Sequence, residues 1–149
     1  MALLKAGQLV ATAESCTGGM VAAAITDVAG SSAVFDRGFV TYSNAAKTEM
    51  LGVEKTLLQT HGAVSEAVAR AMAQGALKHS AATLAVAITG IAGPTGGSET
   101  KPVGLVHFAC ASKRGHEWHE RKVFVGDRAA VRFAARDHAL QMLGNALNG

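Results

Sequence analysis

Leu9–Val28 reads LVATAESCTGGMVAAAITDV, and its three parts decide the fold class. Leu9 to Ala13 is a short apolar run that predicts a buried strand. Gly18 to Val28 is alanine-rich and predicts a helix, ended near Gly30. Between them stand Ser15, Cys16 and Thr17, followed by the pair Gly18-Gly19. A strand, a tight polar turn and a helix in that order place the turn at the carboxyl end of the strand. Free backbone N–H groups of the helix's first turn converge there.

The remaining segments continue the alternation. Val34 to Tyr42, rich in β-branched and aromatic residues, predicts a second strand. Asn44 to Leu51 predicts a short helix stopped at Gly52, and Ser65 an N-cap for a longer one that sets Val68, Met72 and Gly75 on one face. Leu84 to Thr89 is apolar throughout, as a strand covered on both sides should be. Gly90 to Lys101 carries four glycines and Pro94 and is expected to be loop. Val103 to Ser112 and Glu117 to Val125 form a hairpin about Lys113-Arg114-Gly115, and the charges of Glu117, Glu120, Arg121 and Lys122 mark its second strand as an edge. Asp127 caps a final helix with Ala139, Leu143 and Leu147 along one side. Strands alternating with helices, plus a late hairpin, predict an α/β protein: a three-layer α/β/α sandwich on a mixed sheet, one domain over residues 1–149. MALLKAG (Met1–Gly7) reads as the last turn of a helix whose start is absent.

Composition narrows the function classes. Of 149 residues, 49% are hydrophobic and 17% charged, which argues against disorder. The net charge is +3, but the basic residues are dispersed and no aromatic-interleaved stripe accompanies them, so nucleic-acid binding is not expected. A mildly positive protein suits a small anionic ligand. Cys16 and Cys110, the two cysteines, are too few for a disulfide framework or a zinc cage. With no secretory signal and no apolar run of membrane-spanning length, a soluble cytoplasmic protein is expected.

Four stretches carry candidate chemistry. In the opening turn a serine next to helix N–H groups is placed to attack a carbonyl while those groups hold the oxyanion. The same residues also read as a plain helix cap by Ser15 or Thr17, the commoner arrangement on spacing alone. In Tyr42-Ser43-Asn44-Ala45-Ala46-Lys47, an N-cap at Asn44 puts Lys47 in a helix's first turn, where the dipole is already positive. That position lowers a lysine pKa, as a general base requires. Reaching neutrality takes roughly 4–5 kcal/mol, of which the dipole supplies at most about 2, so burial must supply the rest. A solvent-facing ammonium is the competing reading. The Gly90–Gly97 loop leaves a buried strand at its carboxyl end, where ligands gather in open α/β sheets, and its amides suit an anion. Gly126-Asp127-Arg128, with Arg132 one turn later, suits a phosphate or carboxylate clamp, or two solvated arginines.

Other features are plain. His116 and His119 lie three apart on a strand and face opposite sides, so they do not share a metal. His138 reads as a packed or capping histidine, Ser31-Ser32 as the end of a helix and a weaker alternative nucleophile. Met20, Met50, Met72 and Met142 read as gap-fillers.

TAESCTGG, AGSS, RGFVTYSNAAK, GAVSEAVA, TGIAGPTGG, KPVG and GDR occur here in the order found in the CinA C-terminal domain family, the competence/damage-inducible proteins. The chain resembles that family from about Leu9 to the last helix. The resemblance implies an α/β/α sandwich and, as in the family's nicotinamide-nucleotide amidases, a metal-free Ser/Lys hydrolase without cofactor. Such enzymes convert nicotinamide mononucleotide to nicotinate mononucleotide and ammonia, recycling pyridine nucleotide. It places the nucleophile at Ser15 and the general base at Lys47, with oxyanion-side backbone at Thr17, Gly18 and Gly19. Tyr42, Asn44, Gly90, Gly93 and Arg128 are expected to bind a small nucleotide, and a homo-oligomer, a dimer, is expected. Two departures stand out: the family's helix before the first strand is short, and the N-terminal nucleotide-binding domain of longer members is not matched, so the stand-alone form is expected. A thiol hydrolase using Cys16 is the chemical alternative. A non-catalytic nucleotide-binding or regulatory module is the alternative of another class.

Overall fold

Alternation within the strands divides the molecule into layers. In β1 (Val10–Glu14) and β3 (Leu84–Gly90) small and large residues take turns, and successive side chains of a strand point to opposite faces. One face of the sheet therefore carries Ala11, Ala13, Ala85 and Ala87, joined by Ala109 and Ala111 of β4 (Leu105–Ser112). The other carries Val10, Leu84, Val86 and Ile88, joined by Val106 and Phe108. In the computed structural model of the chain, which describes residues 6–148, β2 (Phe35–Val40) and β5 (Glu117–Val123) complete one five-stranded sheet in the order β2-β1-β3-β4-β5. β1 runs parallel to both β2 and β3, whereas β4 and β5 are antiparallel to their neighbours, so the sheet is mixed.

Against the alanine face pack α2 (Asn44–Leu51), α3 (Lys55–His61) and α4 (Glu66–Lys78). The absence of bulk on the strands lets α4 lie close, and Val68, Ala69, Met72, Ala73 and Ala76 are all inaccessible to solvent. Against the larger-residue face pack α1 (Met20–Thr26) and α5 (Arg128–Ala146), through Val21, Ile25, Val131, Ala135, Ala139 and Met142. This is the three-layer α/β/α sandwich on a mixed sheet. The chain leaves β1 through α1 on one face and returns from β2 to β3 across the other. The carboxyl ends of β1 and β3 thus flank a switch point, where open α/β sheets place their ligands.

Several boundaries differ from the sequence reading. Gly18 and Gly19 take positive φ angles of 57° and 105°, so the first helix begins at Met20 and not at Gly18. The second strand ends at Val40, because Thr41 and Tyr42 already turn toward α2. The N-cap of α2 is Ser43, whose side chain accepts from the Ala46 amide, and Asn44 is the first helical residue. Helix α3 was not anticipated: seven residues without a side-chain cap give little periodic signal. Met72 and Met142 fill the core, whereas Met50 is exposed. Most of the expected helical turn over Met1–Gly7 lies outside the described residues.

Ser65 and Asp127 cap α4 and α5 as expected. Gly52 ends α2 with a φ of 72°, and β5 is the sheet edge. His119 turns to His107 on β4, 2.9 Å away, while His116 meets Trp118 edge-on, so the two histidines of His116–His119 do point apart. Among the described residues no helix is long and apolar enough to cross a membrane, and no three His, Cys, Asp or Glu side chains converge as a metal cage requires.

Candidate active site

The turn after β1 is built around a carboxylate. Glu14 is the last residue of β1 and only 1% exposed. Its Oε1 accepts from Thr17 Oγ1 at 2.7 Å and from the Val21 amide at 2.9 Å, and its Oε2 from the Ala22 amide at 3.0 Å. A negative group at a helix N-terminus satisfies orphan donors and complements the dipole. Neither Ser15 nor Thr17 caps α1; Glu14 does so from across the turn. This leaves Ser15 free of a capping role. The first-turn N–H groups of α1 are likewise occupied and unavailable to a ligand.

The turn itself is fixed by main-chain bonds. The Ser15 amide donates to the Ile88 carbonyl of β3, and the Gly18 amide to the Ser15 carbonyl. Gly18 and Gly19 supply the left-handed conformations that reverse the chain, which side chains with a Cβ adopt at a cost. Of the amides expected on the oxyanion side, that of Gly18 is therefore engaged. Those of Cys16, Thr17 and Gly19 have no acceptor among the described residues.

Lys47 comes from the first turn of α2 and is 1% exposed. The competing reading of a solvent-facing ammonium does not hold. Its Nζ lies 3.2 Å from Ser15 Oγ, 3.0 Å from the Thr41 carbonyl and 3.3 Å from the Tyr42 carbonyl. No carboxylate forms a salt bridge with it among the described residues. Burial, which strips water from the ammonium, holds its pKa below the ordinary 10.5. An amine with three acceptors at hydrogen-bond distance is satisfied in both protonation states. Neutral, it donates to the two carbonyls and turns its lone pair to Ser15.

Ser15, Cys16, Tyr42, Asn44, Lys47, Gly90 and Arg128 line one cleft of about 240 Å³, with Ala63, Val64, Thr89 and Ala92 as its apolar and floor residues. Thr89 Oγ1 donates to the Ala63 carbonyl and ties the end of β3 to the loop before α4. Arg128, at the start of α5, donates to the Gly93 carbonyl at 2.8 Å and to the Tyr42 hydroxyl at 3.1 Å. Both partners are neutral, so its charge stays available to an anion at the mouth. Of the sequence-derived site residues, Ser15, Lys47, Tyr42, Asn44, Gly90 and Arg128 line this cleft, and Gly93 joins it through its bond to Arg128. Thr17, Gly18 and Gly19 are not among its lining residues, and Thr17 is fully buried. Glu14, Thr89 and the Thr41 carbonyl were missed. Only Glu14 had a signal in the sequence, a carboxylate directly before a turn into a helix.

Other candidates fall away by position. Cys16 lines the cleft, but burial pushes its thiol up to about 11, which works against the thiolate a nucleophile needs. Cys110 is buried in the core and its thiol is pushed up to about 12. Ser31 sits in a short 3₁₀ turn before β2, at the opposite end of the sheet, with its hydroxyl directed to the Thr26 carbonyl. His138 packs edge-on against Phe108, with ring centroids 4.6 Å apart, on the far side of the sheet from Lys47.

Comparison with known proteins places the chain in one family. The chain is 61% identical over 142 residues to the nicotinamide-nucleotide amidohydrolase PncC of Escherichia coli, covering 95% of this chain and 86% of that one. It is 53% identical over 149 residues to a CinA-like protein of Mycolicibacterium vanbaalenii, of which it spans 35%. Among solved structures, the competence/damage inducible protein CihA of Agrobacterium tumefaciens superposes with a TM-score of 0.93 at 55% identity, over 96% of this chain and 87% of that one. The competence damage-inducible protein A of Klebsiella pneumoniae gives 0.94 at 41% identity, over 99% and 91%. Residues 1–147 match the CinA C-terminal domain, and the chain belongs to that family.

Proposed function

We propose that the protein is a nicotinamide-nucleotide amidase, hydrolysing nicotinamide mononucleotide to nicotinate mononucleotide and ammonia through Ser15 and Lys47. The observation that carries this reading is the buried Lys47 amine 3.2 Å from Ser15 Oγ, with two main-chain carbonyls as its other partners. A binding module has no need of that pair. The relatives named nicotinamide-nucleotide amidohydrolase at 57–61% identity supply the substrate class.

Neutral Lys47 takes the proton from Ser15 Oγ, which forms a bond to the carboxamide carbon while the carbonyl π pair moves onto oxygen. The amides of Cys16 and Gly19 are the donors left for that oxyanion, Thr17 being fully buried. As the tetrahedral carbon collapses, the C–N bond breaks and the Lys47 ammonium returns its proton to nitrogen, releasing ammonia. Water, deprotonated by the same amine, then attacks the acyl carbon. The bond to Ser15 Oγ breaks, the Lys47 ammonium returns the proton to Oγ, and the product acid loses its proton to solvent as the carboxylate. Arg128 meets the phosphate, and Asn44 and Tyr42 contact the ribose side of the nucleotide. No step calls for a metal.

Ammonia release from nicotinamide mononucleotide tests the assignment. Ser15→Ala is expected to lose at least about a thousandfold in kcat, in line with loss of a covalent nucleophile. Cys16→Ala should keep the rate within about threefold, and a chelator should leave it unchanged. Full activity in Ser15→Ala, or loss with Cys16→Ala alone, overturns the mechanism.

A further inference from the structure

Thr89 stands beside the nucleophile at the end of β3. The register pairs Glu14 of β1 with Ile88 of β3, and the ladder continues one bond further, the Ser15 amide donating to the Ile88 carbonyl at 3.0 Å. Ser15 and Thr89 are therefore neighbours at the carboxyl ends of two parallel strands, which run roughly 4.8 Å apart. Alternation puts Ser15 in line with Ala11 and Ala13, and Thr89 in line with Ala85 and Ala87. Both side chains leave the sheet on the alanine face: Ser15 meets Lys47 of α2 there, and Thr89 meets Ala63 between α3 and α4. Thr89 is 1% exposed, as Lys47 is, and both line the cleft together with Ser15.

The Thr89 hydroxyl has one proton, and that proton is committed. Its partner at 2.9 Å, the Ala63 carbonyl, can only accept, so Thr89 Oγ1 must donate. Among the described residues the Ala63 carbonyl has no other donor, and Thr89 Oγ1 makes no other hydrogen bond. What Oγ1 offers the cleft is lone pairs alone, next to the hydroxyl that attacks. Turning the proton to a ligand would strand the Ala63 carbonyl, so the group accepts and does not donate. A carboxamide carries two N–H donors beside its carbonyl, whereas a carboxylate carries none. With its carbon at Ser15 Oγ, a carboxamide can turn its nitrogen to Thr89. A carboxylate in the same place sets oxygen against oxygen.

We infer that Thr89 is a specificity-determining residue, an obligate acceptor that takes an N–H of the substrate's carboxamide and so tells the amide from the acid it becomes. This rests on the amidase reading above and deepens it. Nicotinamide mononucleotide and nicotinate mononucleotide share every group except the one at the reacting carbon, so discrimination between them has to be made there. A site built to bond an N–H rejects the analogue that lacks it, because the site's own polar atom is left unpaired. The same contact serves turnover. It is satisfied while the amide is bound and lost once ammonia has left, which weakens the hold on the product.

Binding to Ser15→Ala, in which the amide is expected to persist, tests this by calorimetric titration with nicotinamide mononucleotide and with nicotinate mononucleotide. The quantity read is the ratio of the two dissociation constants, acid over amide, with and without Thr89→Val. Valine keeps the shape and loses the lone pairs, so the ratio is expected to fall about tenfold, chiefly through weaker binding of the amide. Lys47 is common to both proteins, so its pull on the acid cancels in the comparison. Loss of the tie to Ala63 alone would loosen the cleft for both nucleotides and leave the ratio where it was. Thr89→Ser keeps the hydroxyl and should keep the ratio close to its value with threonine. Should Thr89→Val fail to fold, Thr89→Ala carries the same comparison. A ratio unmoved by loss of the hydroxyl, or lowered equally by Thr89→Ser, overturns the inference. If the amide binds and the ratio does not move, the inference alone fails. If neither nucleotide binds, or if Ser15→Ala still releases ammonia at the parent rate, the amidase reading through Ser15 fails and the inference falls with it.

Discussion

Lys47 is a cation by default in a place that disfavours cations twice, in the first turn of a helix and out of reach of water. With its pKa held below the ordinary 10.5, the unfolded chain binds more protons at this position than the folded chain over the interval between the two values. Stability must then rise with pH across that interval, and the buried lysine costs most below its folded pKa. Above the ordinary value both states are neutral and the cost disappears. Lys47→Met leaves the Thr41 and Tyr42 carbonyls without their donor, a loss that does not depend on pH. The variant's stability relative to the parent is therefore expected to be most favourable at about pH 6 and to decline toward about pH 10, read by denaturant unfolding at each pH. A difference that stays flat, or rises with pH, would show that burial does not lower the Lys47 pKa. In the parent, kcat/KM should climb through the same folded pKa, because only the neutral amine accepts the Ser15 proton.

Elements, more than single residues, explain what the sequence disclosed. The Ser15 turn, the early end of α2 at Gly52 and the caps at Ser65 and Asp127 were legible because each depends on local chemistry that a short window contains. So was the edge character of β5, from its charges. The N-cap of α2 was misplaced by one residue, from Ser43 to Asn44, since both side chains are good caps and only the extended ψ of 161° at Ser43 separates them. Glu14 went unread because its partners, Val21 and Ala22, lie seven and eight residues away, across a turn whose shape is set by Gly18 and Gly19. The contact that closes the alanine face was equally hidden. A Cβ on Gly75, in the middle of α4, would collide with the Leu51 carbonyl at the end of α2. Two effects oppose each other in Gly75→Ala. Helix propensity favours alanine by up to about 1 kcal/mol, whereas overpacking against rigid backbone costs about 1–3 kcal/mol. Packing should win, giving a net loss of about 1–2 kcal/mol by denaturant unfolding. Because α2 carries Lys47, ammonia release should fall with it; a stabilised variant would mean that α2 and α4 separate without cost.

At the scale of the whole molecule, the cleft gathers residues from almost the full length of the chain, from Ser15 after β1 to Arg128 at the start of α5. Arg128 joins them physically, since its two bonds reach Tyr42 before α2 and Gly93 after β3. An unfolded chain cannot assemble such a site, so a ligand there binds the folded state alone and stabilises it by mass action. In Ser15→Ala, where the substrate is expected to persist, nicotinamide mononucleotide at about a hundred times its Kd should add about 2.7 kcal/mol. For a domain of this size that corresponds to a rise of roughly 5–10 °C in Tm. The +3 net charge favours the anionic ligand only weakly and over a distance set by salt, so the specific part of the rise should depend on Arg128. Arg128→Met in the Ser15→Ala background is expected to abolish most of the shift while the unliganded Tm changes little, its two lost partners being the exposed Tyr42 hydroxyl and one carbonyl of a loop. A shift that survives Arg128→Met would move the phosphate elsewhere in the cleft, and no shift in Ser15→Ala at any concentration would remove the nucleotide from it altogether.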